Sequence, residues 1–254
     1  MTTHFEVIVA GQESEYARQA AGAVFREIDH LENLLSKYNA GSDVGQINLL
    51  KPGETARLGA EVIECLEVAV WAYEASNGLF DPTLGTGFQW LKIDRENFTA
   101  GWSEAGKGEL DLGGIAKGFA LDRVKSLLDE WDVKEAVLNA GTSTVLALGR
   151  EWNLGVGGPW GEKAGLTEVV LKDRALSGSG TEVKGAHIVN PKTGKPAQRH
   201  LAAWAIHASA AKADALSTAF MMMETEQIGQ LCKANPGMAA YVVKPDEQLI
   251  KMGV

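Results

Sequence analysis

The chain has 254 residues, 45% of them hydrophobic and 22% charged, an ordinary globular composition with material for one large or two small domains and a sizeable core. Its formal net charge of −9 argues against a nucleic acid or an anionic membrane surface as the main partner, since both reward basic patches. A local basic pocket for one phosphate group stays open, and with no run of about 18 apolar residues, no membrane-crossing helix is expected.

The N-terminal MTTHFEVIVAGQE has no basic region followed by an apolar core, so no secretory signal is expected. Residues 4–10 alternate loosely and predict an opening strand. Val24, Ile28, Leu31 and Leu35 recur at helical spacing and predict a long helix. Residues 60–76 repeat that pattern through Val62, Leu66, Ala69, Val70 and Tyr73, with Asn77-Gly78 as the stop. A third helix is predicted from about Ala116 to Trp131. Short strands follow at 135–140, 144–149, 152–156, 166–171 and 174–177, separated by Gly and Pro turns. A strand at 202–207 leads into a small-residue helix beginning near Ser209, and 238–243 with 247–251 reads as a closing hairpin. Helices first and strands later, without βαβ alternation, predict an α+β fold. Cys65 and Cys232 sit in helix-like apolar stretches without metal-type spacing. They read as buried free thiols in a reducing, cytoplasmic setting.

Several segments could carry chemistry. Gly113 and Gly114 precede a predicted helix whose first turn holds Lys117. Glycines admit a ligand close to the backbone, and a helix N-terminus presents unpaired N–H groups to an anion. A plain helix-start turn would look the same. Asp111 beside this loop would point to a base or ribose edge, because a carboxylate is repelled by a pyrophosphate. Asp214 and Thr218, four apart, share one helix face and offer two oxygens to a hard cation such as Mg²⁺, with Ser217 adjacent. Equally, the Asp could complement the helix dipole and the Thr bond back to the preceding turn. His187 opens HIVNPKTGKP, where an imidazole could serve as a general base near neutrality or simply be a hydrogen-bonded strand residue. Phe80-Asp81-Pro82-Thr83 places a ring beside a rigid turn that could wall a flat ligand or staple the preceding helix. Tyr38, in Ser36-Lys37-Tyr38-Asn39, offers a second aromatic.

The order of these segments is distinctive. SKYNAGSDVGQIN, GLFDPT, DLGGIAKGFALDRV, LNAGTSTVLALG, LSGSG, HIVNPKTGKP and ADALSTAF together resemble the ApbE family of FAD:protein FMN transferases, from Tyr38 to Phe220. DLGGIAKG, the H-I-x-x-P-x-T-G-x-P turn and A-D-A-L-x-T are the most specific blocks. The resemblance implies a single α+β domain over residues 1–254, related to the T-fold, with a mixed or antiparallel sheet and packed helices. It implies an FAD cleft lined by Met1, Tyr38, Leu79, Phe80, Asp81, Asp111, Lys117 and Ile188. It further implies a Mg²⁺ site from Asp214, Thr218, neighbouring Ser217 and the backbone carbonyl of Gly114, with His187 as the general base. The implied activity moves FMN from FAD to a Ser or Thr hydroxyl in a Ser/Thr-Gly-Ala type motif of an acceptor flavoprotein, releasing AMP. An FAD pyrophosphatase giving FMN and AMP, and a non-catalytic FAD-binding protein, are the alternatives.

The chain departs from the family pattern in places. The stretch between Phe80 and Asp111 is shorter than usual, which predicts a rebuilt cleft wall. Gly141-Thr142-Ser143 stands where Gly-Gly-Asp is usual, Asn190 replaces a common Asp, and the tyrosine often found after the Ser-Gly pair is absent from SGSGTEVKG.

Overall fold

A computed structural model describes residues 3–157, 166–181 and 188–254; Met1 and His187 lie outside the described residues. β1 (Phe5–Ala10) leads into α1 (Ser14–Leu35) and a short α2 (Asp43–Leu49). β2 (Thr55–Arg57) precedes α3 (Ala60–Ala75), and a 3₁₀ turn (Phe88–Trp90) opens a hairpin of β3 (Leu91–Asp94) and β4 (Thr99–Trp102). Then come α4 (Ala116–Glu130), β5 (Glu135–Ala140), β6 (Thr144–Leu148), β7 (Trp152–Val156), β8 (Thr167–Leu171) and β9 (Arg174–Gly180). β10 (Ala202–His207), α5 (Ala210–Phe220), α6 (Thr225–Ala234), β11 (Ala239–Val243) and β12 (Leu249–Met252) complete the chain.

Seven strands form one sheet in the order β1-β5-β6-β9-β10-β11-β12, antiparallel at every described pairing. The period of two in a strand sorts its side chains onto opposite faces. In β10, Ala203 and Ala205 join the main core under the helices, while Ala202, Trp204 and Ile206 join a second cluster. β11 divides the same way, Ala240 and Val242 against Ala239, Tyr241 and Val243. The β7–β8 hairpin supplies Val156 and Leu171 to the second cluster, so the central strands are buried on both faces.

The α+β expectation holds, and the buried stripe of α1 is the one its spacing predicted: Val24, Ile28, Leu31 and Leu35 are all buried. Both cysteines are free and buried. Helix α3 stops just before Asn77 and Gly78, both with positive φ. The order "helices first, strands later" needs correction. A three-stranded sheet, β2-β4-β3, lies between the early helices, with Trp102 buried and its Nε1 donating to the Ile47 carbonyl at 2.9 Å. About half of the stretch between Phe80 and Asp111 is spent on the 3₁₀ turn and the β3–β4 hairpin of that sheet. Helices α2 and α6 also went unpredicted, although Glu224 and Gln227 make a capping box at the start of α6. Among the described residues no helix is long and apolar enough to cross a membrane.

α5 decides where the site sits. Alanines at 210, 211, 213, 215 and 219 keep it slim, so it lies buried between the sheet and the other helices. Only Lys212 and Thr218 in this helix are more than slightly exposed.

Candidate active site

The N-termini of α4 and α5 meet, and each helix supplies the acceptor that the other lacks. The first N–H groups of a helix have no intrahelical partner. In α4 the N–H of Gly118 donates to Asp214 Oδ2 at 3.0 Å. In return Asp122 of α4 accepts from the N–H groups of Ala210 and Ala211 at 2.7 and 3.0 Å and from the Ser209 hydroxyl at 2.6 Å. Burial pushes the Asp122 carboxyl above its ordinary pKa, against the pull of those three hydrogen bonds. The crossing demands glycine at 118, because a Cβ there would lie 2.1 Å from the Ala210 carbonyl oxygen.

Asp214 is 3% exposed and sits under a group of hydroxyls from the sheet. Thr144 and Ser177 are direct partners in the β6–β9 register, with their oxygens 2.9 Å apart. Each lies 3.3 Å from Asp214 Oδ1. Two residues along β9, on the same face, Ser179 reaches Ser217 Oγ at 2.9 Å and Thr218 Oγ1 at 3.3 Å. Ser217 also donates to the Asp214 carbonyl at 2.9 Å. Gly178, between the two serines, faces the other way, where the Trp204 ring leaves no room for a side chain. The LSGSG block thus encodes two faces, hydroxyls toward α5 and a flat seat for a ring.

Lys117 completes this cluster. Its Nζ lies 3.3 and 3.2 Å from the two Asp214 oxygens and 3.4 Å from the Gly113 carbonyl. The lysine expected to face a phosphate therefore sits on the carboxylate expected to hold a cation. Gly114 lies beside Phe80 and Thr218: a Cβ built on it would be 3.2 Å from Phe80 Cε2 and 3.8 Å from Thr218 Oγ1. Phe80 is buried, and its N–H is tied to Ser76 Oγ at 2.8 Å.

The remaining residues form a rim around this centre. Asp111 N–H donates to the Pro82 carbonyl at 2.7 Å, which ties the glycine loop to the Phe80–Thr83 turn. The Asp111 side chain is already engaged, with Lys37 Nζ at 2.9 Å and the Gly113 N–H at 2.8 Å. Lys37 in turn carries Tyr38, whose ring is 90% exposed. Asn48 clamps the approach to the loop by pairing with both backbone groups of Leu110. Asp81 is committed to its own turn, accepting from Thr83 N–H and Oγ1 at 2.7 Å and from Gly85 N–H at 3.1 Å. Leu79 is half-buried against the main core. A cleft of about 350 Å³ lies beside this turn, with Asp81, Gly85, Pro191 and Lys192 in its lining. It joins the turn to segment 188–197, where Ile188 is buried and its carbonyl accepts from Ala197 N–H at 2.8 Å.

The contacts bring Gly113, Gly114, Lys117, Asp214, Ser217 and Thr218 together at the α4–α5 crossing and tie Asp111 to the Phe80–Thr83 turn; Tyr38 and Ile188 make no described contact with that centre. Asp122, Thr144, Ser177 and Ser179 belong to the centre and were not singled out from the sequence. The S-G-S alternation on a strand was the available signal for two of them. Asp122, four residues after Gly118 on the same helix face, was the signal for the cap.

The donors also suit a hard cation. Asp214, Thr218 and the Gly114 carbonyl offer oxygen only, and Thr218 remains partly exposed. No cluster of three or more His, Cys, Asp or Glu able to hold a metal occurs among the described residues. One carboxylate with hydroxyl and carbonyl oxygens fits Mg²⁺, which completes its shell with waters and substrate phosphates.

A family model described as the ApbE family matches residues 1–242. The chain belongs to the ApbE family. A relative named FAD:protein FMN transferase from Treponema pallidum is 27% identical, over 89% of this chain and 77% of its own length. One of the same name from Haemophilus influenzae is 23% identical, over 91% and 79%. The crystal structure of the ApbE protein from Thermotoga maritima superposes with a TM-score of 0.85 at 25% identity, covering 98% of this chain and 94% of that one. The apo flavinyl transferase ApbE of Pseudomonas stutzeri, at 23% identity and a TM-score of 0.81 over 99% and 95%, shares the fold.

Proposed function

We propose that this ApbE family member is an FAD:protein FMN transferase that moves the FMN moiety of FAD onto a Ser or Thr hydroxyl of an acceptor flavoprotein and releases AMP. The observation that carries this reading is the meeting of the Asp111–Gly118 loop with the Asp214–Thr218 helix face, through the Gly118 and Lys117 contacts to Asp214. It brings nucleotide-handling groups and cation-type oxygens to one place.

In this reading FAD lies along Tyr38, Leu79, Phe80, Asp81, Asp111 and Ile188, with its pyrophosphate over the glycine loop. Asp214, Thr218 and the Gly114 carbonyl, with Ser217 behind them, would hold Mg²⁺, which when bound supplies charge neutralisation at the pyrophosphate. Phosphoryl transfer asks a protein chiefly for positioning and electrostatic stabilisation. Lys117 serves the second need, acting on charge that builds on the phosphate oxygens as the bond to AMP lengthens. His187 takes the proton of the acceptor hydroxyl. The hydroxyl oxygen bonds to the FMN-side phosphorus, the pyrophosphate bridge breaks, and AMP leaves with the bridging oxygen. The acceptor motif of Ser or Thr before Gly-Ala is carried over from the family.

The test is direct. Purified protein, FAD, Mg²⁺ and a flavoprotein carrying the motif should give a fluorescent acceptor band on a denaturing gel, and His187→Ala should abolish it while FAD binding persists. Absence of a labelled band with wild-type protein would refute the transfer. FMN and AMP accumulating without acceptor would instead mark a pyrophosphatase.

A further inference from the structure

Lys117 spans both oxygens of Asp214. Oδ2 takes the Gly118 N–H and Lys117 Nζ, at 3.0 and 3.2 Å. Oδ1 lies 3.3 Å from Lys117 Nζ and from the Thr144 and Ser177 hydroxyls, which bond to each other at 2.9 Å and so have one proton between them to give it. A cation that uses Asp214 as a ligand meets the Lys117 ammonium on both oxygens and must displace a donor. The Gly118 N–H is α4 backbone. Thr144 and Ser177 are buried strand side chains that also satisfy one another. Lys117 differs from all three: its side chain is 20% exposed, it swings on a flexible four-carbon stem, and its contacts are longer than the usual 2.7–2.9 Å of a charge-assisted bond. It is the donor able to leave.

Building on the function proposed above, we propose that Lys117 is a tethered counter-ion that competes with the divalent cation for Asp214, and that the cation's arrival releases its ammonium to the phosphates of the nucleotide. A carboxylate this buried is costly without a compensating charge, and Lys117 provides one. When a divalent cation takes over that duty, the ammonium is repelled, and the anionic phosphates of the nucleotide replace the partner it lost. No bond is made or broken in the exchange. Its consequence is coupling: cation and nucleotide each favour the binding of the other, by equal factors.

The competition is measured on the full chain without nucleotide, by titrating Mn²⁺ and following the free ion by electron paramagnetic resonance. Lys117→Met should bind Mn²⁺ about ten-fold tighter than wild type, about 1.4 kcal/mol. Lys117→Gln, which keeps a donor but no charge, should shift the same way and serves if the Met variant does not fold. Lys117→Arg should stay within about three-fold of wild type, since a full charge remains in reach. Flavin fluorescence supplies the second readout: the gain in FAD affinity on adding Mg²⁺ should be smaller in Lys117→Met than in wild type. Equal or weaker Mn²⁺ binding by both neutral variants overturns the competition while leaving the cation site standing, provided Asp214→Asn abolishes binding. Mn²⁺ binding that survives Asp214→Asn overturns both the competition and the reading of the site beneath it.

Discussion

Asp122→Ala tests the reciprocal bracing of α4 and α5. The substitution removes the acceptor for two backbone N–H groups and one hydroxyl at the start of α5. Loss of an N-terminal cap costs about 0.5–2 kcal/mol, and an N–H left unpaired away from water adds about 1–3 kcal/mol. Two effects reduce the sum. Ser209 still caps Lys212 N–H through its own hydroxyl, and the burial that raises the Asp122 pKa no longer penalises a carboxylate. The net expectation is about 2–3 kcal/mol. For a chain of this size each kcal/mol moves the Tm by about 2–4 °C, so the variant should melt roughly 5–10 °C below wild type. Thermal denaturation followed by circular dichroism reads this, with Asp122→Asn as the milder companion that keeps one acceptor oxygen and should lose about half as much. A Tm for the Ala variant within about 1 °C of wild type would refute the view that this carboxylate holds the helix pair together.

Gly118→Ala places a Cβ 2.1 Å from the Ala210 carbonyl oxygen, far inside any real contact, so the helices must separate. Overpacking of this kind costs about 1–3 kcal/mol, more than the roughly 0.5–1 kcal/mol that Ala gains in a helix; an unchanged or raised Tm contradicts the crossing. Ser179→Ala removes one partner of Ser217 and the described side-chain partner of Thr218, and Mn²⁺ affinity should fall about ten-fold with a stability loss of only about 0.5–1.5 kcal/mol; unaltered affinity would deny Ser179 a role in orienting Thr218. Burial first, then the Lys212 charge, lowers the His207 pKa to about 4, and the Ser209 N–H that donates to Nδ1 suits the same neutral ring. The unfolded chain therefore binds this proton more readily. The contribution of neutral His207 to stability is complete above the ordinary pKa of 6.5 and is lost as pH falls toward about 4. Urea unfolding at pH 7, 5.5 and 4.5 should show wild type losing ground to His207→Gln across that window, and parallel pH profiles would refute it.

What was legible in the sequence was whatever rests on local periodicity. The buried stripe of α1, the stop of α3 at Asn77-Gly78 and the run of strands from β5 to β9 depend on neighbours three, four or two residues away. The β2-β4-β3 sheet does not. Its strands are three and four residues long, too short to display alternation, and their stability comes from Trp102 packing on elements distant in sequence. The site divides along the same line. The Asp214–Thr218 pair and the glycine loop could be picked out as blocks, whereas Thr144 and Ser177 meet only through the β6–β9 register, which no local pattern announces. Lys117 and Asp214 are 97 residues apart, so their contact depends on the helix crossing. Asp111, two residues before Gly113, is held by Lys37 and the Gly113 N–H, and the Lys37 partner, far back in the chain, was not announced by the loop.

Because α4 and α5 close each other's open ends, the centre of the site is braced from within by bonds among residues 117–122, 144, 177–179 and 209–218. The turn and hairpin between residues 80 and 110 supply none of these bonds. They stand against the centre as a wall stands on a foundation, and their length can change while the chemistry beneath keeps its geometry. Grafting this stretch from a longer relative should change which acceptor is labelled and leave the Mn²⁺ affinity of the nucleotide-free protein as it was.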